Sequence, residues 1–262
     1  MAGLSGALIV HPDGEGRFVA YADPDHESLS GMFGGWTAAV ALEAVIQAGE
    51  EGFAPSALTT QFVASIAGGS TVSLKVAKLG GGRSVQHWRV DASSTDDATT
   101  YATATVVMTA RRPSDGHVQA LMPEAPGPDT LEEFHAPGPQ GHQTLMRPIA
   151  GYPPHGRDDT RSLHWIKSMD GRTVDYPQLA YIADQMAPRS FFWAEGPRPS
   201  STMTMSLHIH GTVDEIAEVG SDYLLVEAIG TRGESSTSGH HARIWSREGA
   251  LLATSEQLCW FR

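Results

Sequence analysis

Apolar and polar positions follow two different periods along this chain, and each period recurs. In "MFGGWTAAVALEAVIQAGEEG", Met32 to Gly52, the only ionisable side chain between Trp36 and Ala48 is Glu43. A surface helix shows a polar face, so a helix apolar nearly all round predicts one enclosed by the rest of the fold. Gly34 and Gly35 stand at its start, where they let the backbone approach a neighbour closely and leave amide donors at the helix N-terminus. Beyond the helix, Thr60–Ile66, Val72–Leu79, Val85–Ala92 and Tyr101–Thr109 alternate or carry β-branched and aromatic residues, with turns such as "GGGRS" between them. These are strand signals.

The pattern then repeats. "DYPQLAYIADQMAP" places Leu179, Ile182, Ala183 and Met186 at helical spacing, with Pro188 marking the end. "STMTMSLHIHG", "DYLLVEAIGTRG", "GHHARIWSREG" and "LLATSEQLCWFR" follow as strands. Each half therefore reads as one helix followed by about four strands, and "LTTQFVASI" and "YATATVVMTARR" find their counterparts in "STMTMSLHI" and "LATSEQLCWFR". The halves share element order rather than identity, which predicts two copies of one supersecondary unit. Residues 1–112 form the first repeat and 161–262 the second; 113–160, rich in Pro and Gly without sustained periodicity, read as a linker. The expected class is α+β, with two helix-plus-antiparallel-sheet repeats whose sheets join into one curved sheet around two central helices.

Composition narrows the partners. With 18 Lys and Arg against 30 Asp and Glu, the 262-residue chain carries a formal charge of −12. That disfavours nucleic-acid and anionic-membrane surfaces, which reward clustered cations. A lone cysteine, Cys259, excludes an internal disulfide framework and a Cys-rich zinc site. No apolar run is long enough to span a bilayer, and the first residues show neither a basic n-region nor a cleavage pattern, so a cytoplasmic location is expected.

The residues also carry a specific likeness. "FGGWTAAVALEAV" resembles the N-terminal helix of the acyl-CoA thioesterase II-like family, whose chains are double hotdogs. "LTTQFVASIAGGSTVSLKVAKLGGGRSV" is similar to its following strands, and "STMTMSLHIHG" and "GALLATSEQLCWFR" to its C-terminal signature strands. The resemblance spans the chain apart from the linker. It implies hydrolysis of acyl-CoA by a water held between an Asp of the second helix, a hydroxyl of the next strand and a Gln of the last strand. In this sequence those positions fall on Asp184, Thr202 and Gln257, with Thr204 as the neighbour on the same strand face. Family members often have an aspartate two residues after the hydroxyl, where this chain has Thr204. The resemblance also implies a homodimer, with acyl-CoA as substrate and no cofactor.

The chemistry is consistent with those residue types. Thioester hydrolysis needs an oriented water, a base and donors for the oxyanion. A desolvated Asp184 would be a stronger base, Thr202 and Gln257 can orient a water, and amides of Gly34 and Gly35, or those from Tyr176 to Leu179, can receive the oxyanion. No metal or nucleophilic serine is required. Arg83, Arg111 and Arg112 are candidates for the nucleotide phosphates, and Trp193 for the acyl pocket or the interface between halves. His208, His210, His240 and His241 suggest a metal at first sight, but their spacing does not support one. Glu43 is either a relic counterpart of Asp184 or, the preferred reading, a structural charge paired with a cation of the other half. Three rivals stand beside the hydrolase. One is a non-catalytic acyl-thioester-binding hotdog. The second is an enoyl-CoA hydratase or dehydratase, which wants a His that neither helix has. The third is an unrelated β-rich module, which predicts Asp184 more than about 8 Å from Gln257.

Overall fold

In the computed structural model, which describes residues 3–97, 99–196 and 198–262, one sheet of twelve strands runs through the whole chain. The first half contributes β1 (Val10–Pro12), β2 (Arg17–Tyr21), helix α1 (Gly34–Ala48), β3 (Ala54–Phe62), β4 (Thr71–Gly81), β5 (Val85–Ser94) and β6 (Thr100–Thr109). The second contributes β7 (Thr144–Ala150), β8 (Ser162–Ser168), helix α2 (Tyr176–Ile182), β9 (Ser200–Ile209), helix α3 (Val213–Val219), β10 (Leu224–Glu234), β11 (Thr237–Ser246) and β12 (Leu251–Phe261). Their order across the sheet is β1-β2-β4-β5-β6-β3-β9-β12-β11-β10-β8-β7. Read inward from either edge, the two halves have the same connectivity. The duplication expected from sequence is therefore present, and each unit also carries a strand pair ahead of its helix.

Those strand pairs were not legible because they are short or interrupted. β7 lies inside the stretch expected to be linker, and its Pro148 disguises it. Proline is tolerated there because β7 is an edge strand, where a missing N–H breaks no second ladder. The rest of 113–160 includes single 3-10 turns at Pro128–Thr130 and Pro139–His142.

The halves join where β3 pairs antiparallel with β9, placing Leu58 opposite Leu207 and Gln61 opposite Thr204. Arg111 fastens the same seam at its other end. Its guanidinium donates to the carbonyls of Pro55 (3.0 Å), Ile209 (2.6 Å), His210 (3.0 Å) and Gly211 (2.7 Å).

α1 is buried from Gly35 to Val45 except at Glu43, packed on α2 and on β3 to β6 of its own half. Its lack of a polar face follows from this enclosure. Glu43 is half-buried and accepts from Gln47 Nε2 at 2.8 Å. The ion pair expected for it does not form among the described residues, because the nearby Arg172 is bound to Asp175. Burial still raises the Glu43 pKa, with the Gln47 hydrogen bond opposing it.

α2 is shorter than its sequence pattern suggests. Asp175 caps its start by accepting from Gln178 N. After Ile182 the chain tightens, with Asp184 N bonded to Tyr181 O and Gln185 N to Ile182 O. Asp184 therefore sits in the turn that ends α2, not on the helix itself.

Candidate active site

The start of α1 meets the end of α2 at this turn. A Cβ on Gly34 would lie 2.7 Å from Asp184 Oδ2 and 3.3 Å from the Phe62 ring; one on Gly35 would lie 2.5 Å from Tyr181 O. Only glycine permits the approach. The Gly35 amide favours the charged form of the Asp184 carboxyl, which faces the α1 amino terminus.

Gln257 comes to the same carboxyl from β12. Its Nε2 donates to Asp184 Oδ1 at 3.0 Å and to Ala183 O at 3.0 Å. Both amide hydrogens are thus committed, which fixes the orientation of the side chain and leaves Oε1 as its remaining polar face. Thr202 donates to that Oε1 at 3.2 Å. The unrelated-module rival fails on this geometry, since Asp184 and Gln257 are in direct contact.

A β-bulge aims Thr202. Along β9, Met205, Leu207 and Ile209 point into the core, and continuing that alternation would turn Met203 inward. The register instead shifts between Thr202 and Thr204, bringing Thr202 opposite Cys259. The extra residue reverses which side chain faces in. Thr202 and Thr204 consequently do not share a face as simple alternation would have it, and Thr202 is the hydroxyl that reaches Gln257.

The electrostatics follow from enclosure. Asp184 is half-buried. Burial pushes its pKa from 3.8 to about 7, against the Gln257 hydrogen bond and the nearby Gly35 amide and Thr202 hydroxyl, which favour the charge. Cys259 lies 3.7 Å from Thr202 Oγ1, and burial pushes its thiol up to about 11, so the neutral thiol dominates near pH 7. Beneath the turn, Tyr181 is fully buried with its hydroxyl 3.0 Å from His26 Nδ1 and its ring against Phe33. Neither Tyr181 nor His26 was singled out in the sequence, where nothing but proximity to Asp184 would have marked Tyr181.

The remaining candidates lie elsewhere. Arg83 and Arg112 are exposed, and Arg111 is spent on the seam. Arg111 contacts the start of β3, whereas Thr202 lies beyond the end of that nine-residue strand. The separation is roughly 20–25 Å along the strand. Arg83 follows β4 on the turn into β5, whose Val85 pairs with Thr109, so it shares the Arg111 end of the sheet. The structure does not bring these arginines to Asp184. Trp193 is at the rim: it lies on Gly233 and meets the Phe261 ring edge-on, with centroids 5.9 Å apart. Glu43 lies nine residues along α1 from Gly34, roughly 13 Å away by helical rise. The amide of Gln178 at the α2 start is occupied by Asp175. His208 and His210 are exposed while His240 is buried, so these side chains do not converge.

Two helices enclosed by one continuous sheet of duplicated topology, with a polar cluster where the helix ends meet, define a double hotdog protein. Residues 22–109 match the acyl-CoA thioesterase N-terminal domain and residues 113–261 the acyl-CoA thioesterase C-terminal domain, and the chain belongs to that family. Among solved structures it is similar to a hot dog fold protein of unknown function from Alicyclobacillus acidocaldarius, at 28% identity and a TM-score of 0.92, covering 98% of this chain and 97% of that one. It is also similar to the tesB protein of Mycobacterium avium subs paratuberculosis (23%, TM-score 0.82, 98% and 97% covered). A third is the acyl-CoA thioesterase II TesB2 of Mycobacterium marinum (18%, TM-score 0.78, 98% and 97% covered). A comparison with curated proteins found no match.

Proposed function

We propose that the protein hydrolyses acyl-CoA thioesters to the free acid and CoA, with Asp184 as general base. The observation that carries this reading is the joined cluster of Asp184, Gln257, Thr202 and the Gly35 amide, in which the carboxyl is raised to about 7. A base poised near the working pH combines the correct protonation state with useful basicity. Asp184 is only half-buried as a residue, and the mechanism requires a water to reach its carboxyl. The Thr202 hydroxyl, its proton directed at Gln257, keeps lone pairs available to accept from that water. Gln257 is a positioning residue: tied to Ala183 O, it holds the carboxyl in place. As the water attacks the thioester carbon, Asp184 takes its proton and the Gly34 amide, the one of the pair not turned to Asp184, receives the oxyanion. A donor of this kind is worth about 3–4 kcal/mol in rate. The thiolate of CoA then leaves.

The test is release of free thiol from a panel of acyl-CoA substrates by the pure protein. Turnover is expected from the wild type, with kcat/KM rising with pH to a plateau above about 7. Asp184→Asn should lower it at least about 100-fold. Turnover unaffected by that change, or absent from the wild type across the panel, refutes the mechanism.

A further inference from the structure

The sheet beyond Gln257 carries buried polar groups that the chemistry of the thioester does not use. Arg189 has no solvent exposure. Its guanidinium donates to the carbonyls of Ala187 and Thr160 and to Ser162 Oγ, and lies 4.3 Å from the Phe192 ring centroid. None of the ion pairs among the described residues includes it. The ionisable groups that act on its charge are the Tyr152 hydroxyl and the Cys259 thiol, not a carboxylate. A buried cation without a counter-anion is expensive, and burial already lowers its pKa to about 10.

Its neighbours are also unsatisfied. His240 is buried, and among the described residues neither ring nitrogen has a hydrogen-bond partner; the same holds for the hydroxyls of Ser190 and Ser238. Buried polar atoms are almost always paired, so a cluster of orphans around a cation calls for an explanation. Register shows where they stand. His240 is directly opposite Gln257 across β11 and β12, and opposite Gly230 across β10 and β11. Ser238 is opposite Cys259. Ser162 and Ala228, which hold the Arg189 guanidinium, pair across β8 and β10. A polar row therefore runs from Asp184 through Gln257 and His240 to Arg189. From β12 to β10 it spans two strand spacings, roughly 10 Å.

We propose that this row binds the acyl group of the substrate and that the preferred substrate is a short ω-carboxyacyl thioester, its terminal carboxylate held by Arg189 and His240. The inference rests on the hydrolase reading for its direction: the thioester carbonyl sits at Asp184 and the chain points toward Arg189. A carboxylate there supplies the missing counter-anion and accepts from the orphaned donors, whereas an alkyl terminus leaves them unpaired. Sites built around buried polar groups reject analogues that cannot pair with them.

Matched substrates test it. Adipyl-CoA and hexanoyl-CoA differ only in the terminal group. Titrated into Asp184→Asn, adipyl-CoA is expected to bind at least tenfold more tightly, and Arg189→Met in that background should erase the difference. In the wild type, kcat/KM should favour adipyl-CoA by a similar factor, and Arg189→Met should abolish that preference. Equal affinity for the two, or a preference that survives Arg189→Met, overturns the assignment; a preference for 6-hydroxyhexanoyl-CoA over adipyl-CoA also does so, by assigning the row to a neutral group. If Arg189→Met does not fold, the comparison of the two ligands on the parent protein decides by itself. A binding difference without turnover of any thioester sinks the hydrolase reading and leaves the carboxylate site standing.

Discussion

Asp184→Asn should make the protein more stable as the pH rises, while removing its activity. The carboxyl has a pKa of about 7 in the folded protein against an ordinary 3.8. Between those values the folded chain holds a proton that the unfolded chain has released, so stability falls as pH increases and levels off above about 7. Each pH unit in that window is worth about 1.4 kcal/mol, and from pH 5 to pH 8 the wild type loses about 2–3 kcal/mol from this group alone. Asparagine does not titrate. Its Oδ1 can still accept from Gln257 Nε2, so that contact survives without the charge. The variant-minus-wild-type difference should therefore widen by about 2–3 kcal/mol over that range, a shift in Tm difference of roughly 4–12 °C for a chain of this size. Calorimetry or urea unfolding of both proteins at pH 5, 6, 7 and 8 measures it. A difference independent of pH would mean that Asp184 is already ionised at pH 5, and the argument for a base poised near neutrality would fail.

Other expectations follow from the same geometry. Gly34→Ala drives a Cβ to 2.7 Å from Asp184 Oδ2, so kcat should drop at least about tenfold, equivalent to ~1.4 kcal/mol, with the far-UV circular dichroism spectrum unchanged. Thr202→Val keeps a β-branched side chain in the strand but removes the hydroxyl that favours the Asp184 charge; the inflection of the kcat/KM profile should move to higher pH, and a profile that stays in place argues against that contact. Arg111→Ala removes the donor for four carbonyls at the seam and should cost about 2–4 kcal/mol in denaturant unfolding, while KM for an acyl-CoA stays within a few-fold. A large rise in KM would return Arg111 to the nucleotide site.

The repeat was legible because burial on both sides writes itself into composition. α1, enclosed by its sheet, has a continuous apolar run, and β4 to β6 and β9 to β12 announce themselves by alternation and turn residues. β7 did not, since a proline on an edge strand looks like a linker. Asp184, Thr202 and Gln257 were reached through likeness to a family, and the contacts among them depend on two features without a period. One is the early end of α2, and the other is the bulge that turns Thr202 inward past Met203. The contacts of Arg111 were not legible for a physical reason: an arginine gives no sign in sequence of whether its guanidinium will meet phosphates or backbone carbonyls. Arg189 carried no signal at all, because its burial is decided by segments distant in the chain.

The seam between β3 and β9 has two ends, and fusion of the halves into one polypeptide has allowed them to diverge. If the units were separate identical chains, symmetry would oblige both ends to carry the same groups. Here one end gathers the α1 amino terminus from the first half and Asp184, Thr202 and Gln257 from the second. The other is closed by the Arg111 clamp. If that cluster is the proposed reaction centre, the described residues hold one of it per polypeptide, and an active-site titration should return a stoichiometry of one. Neither half, expressed alone, contains all the groups of that centre.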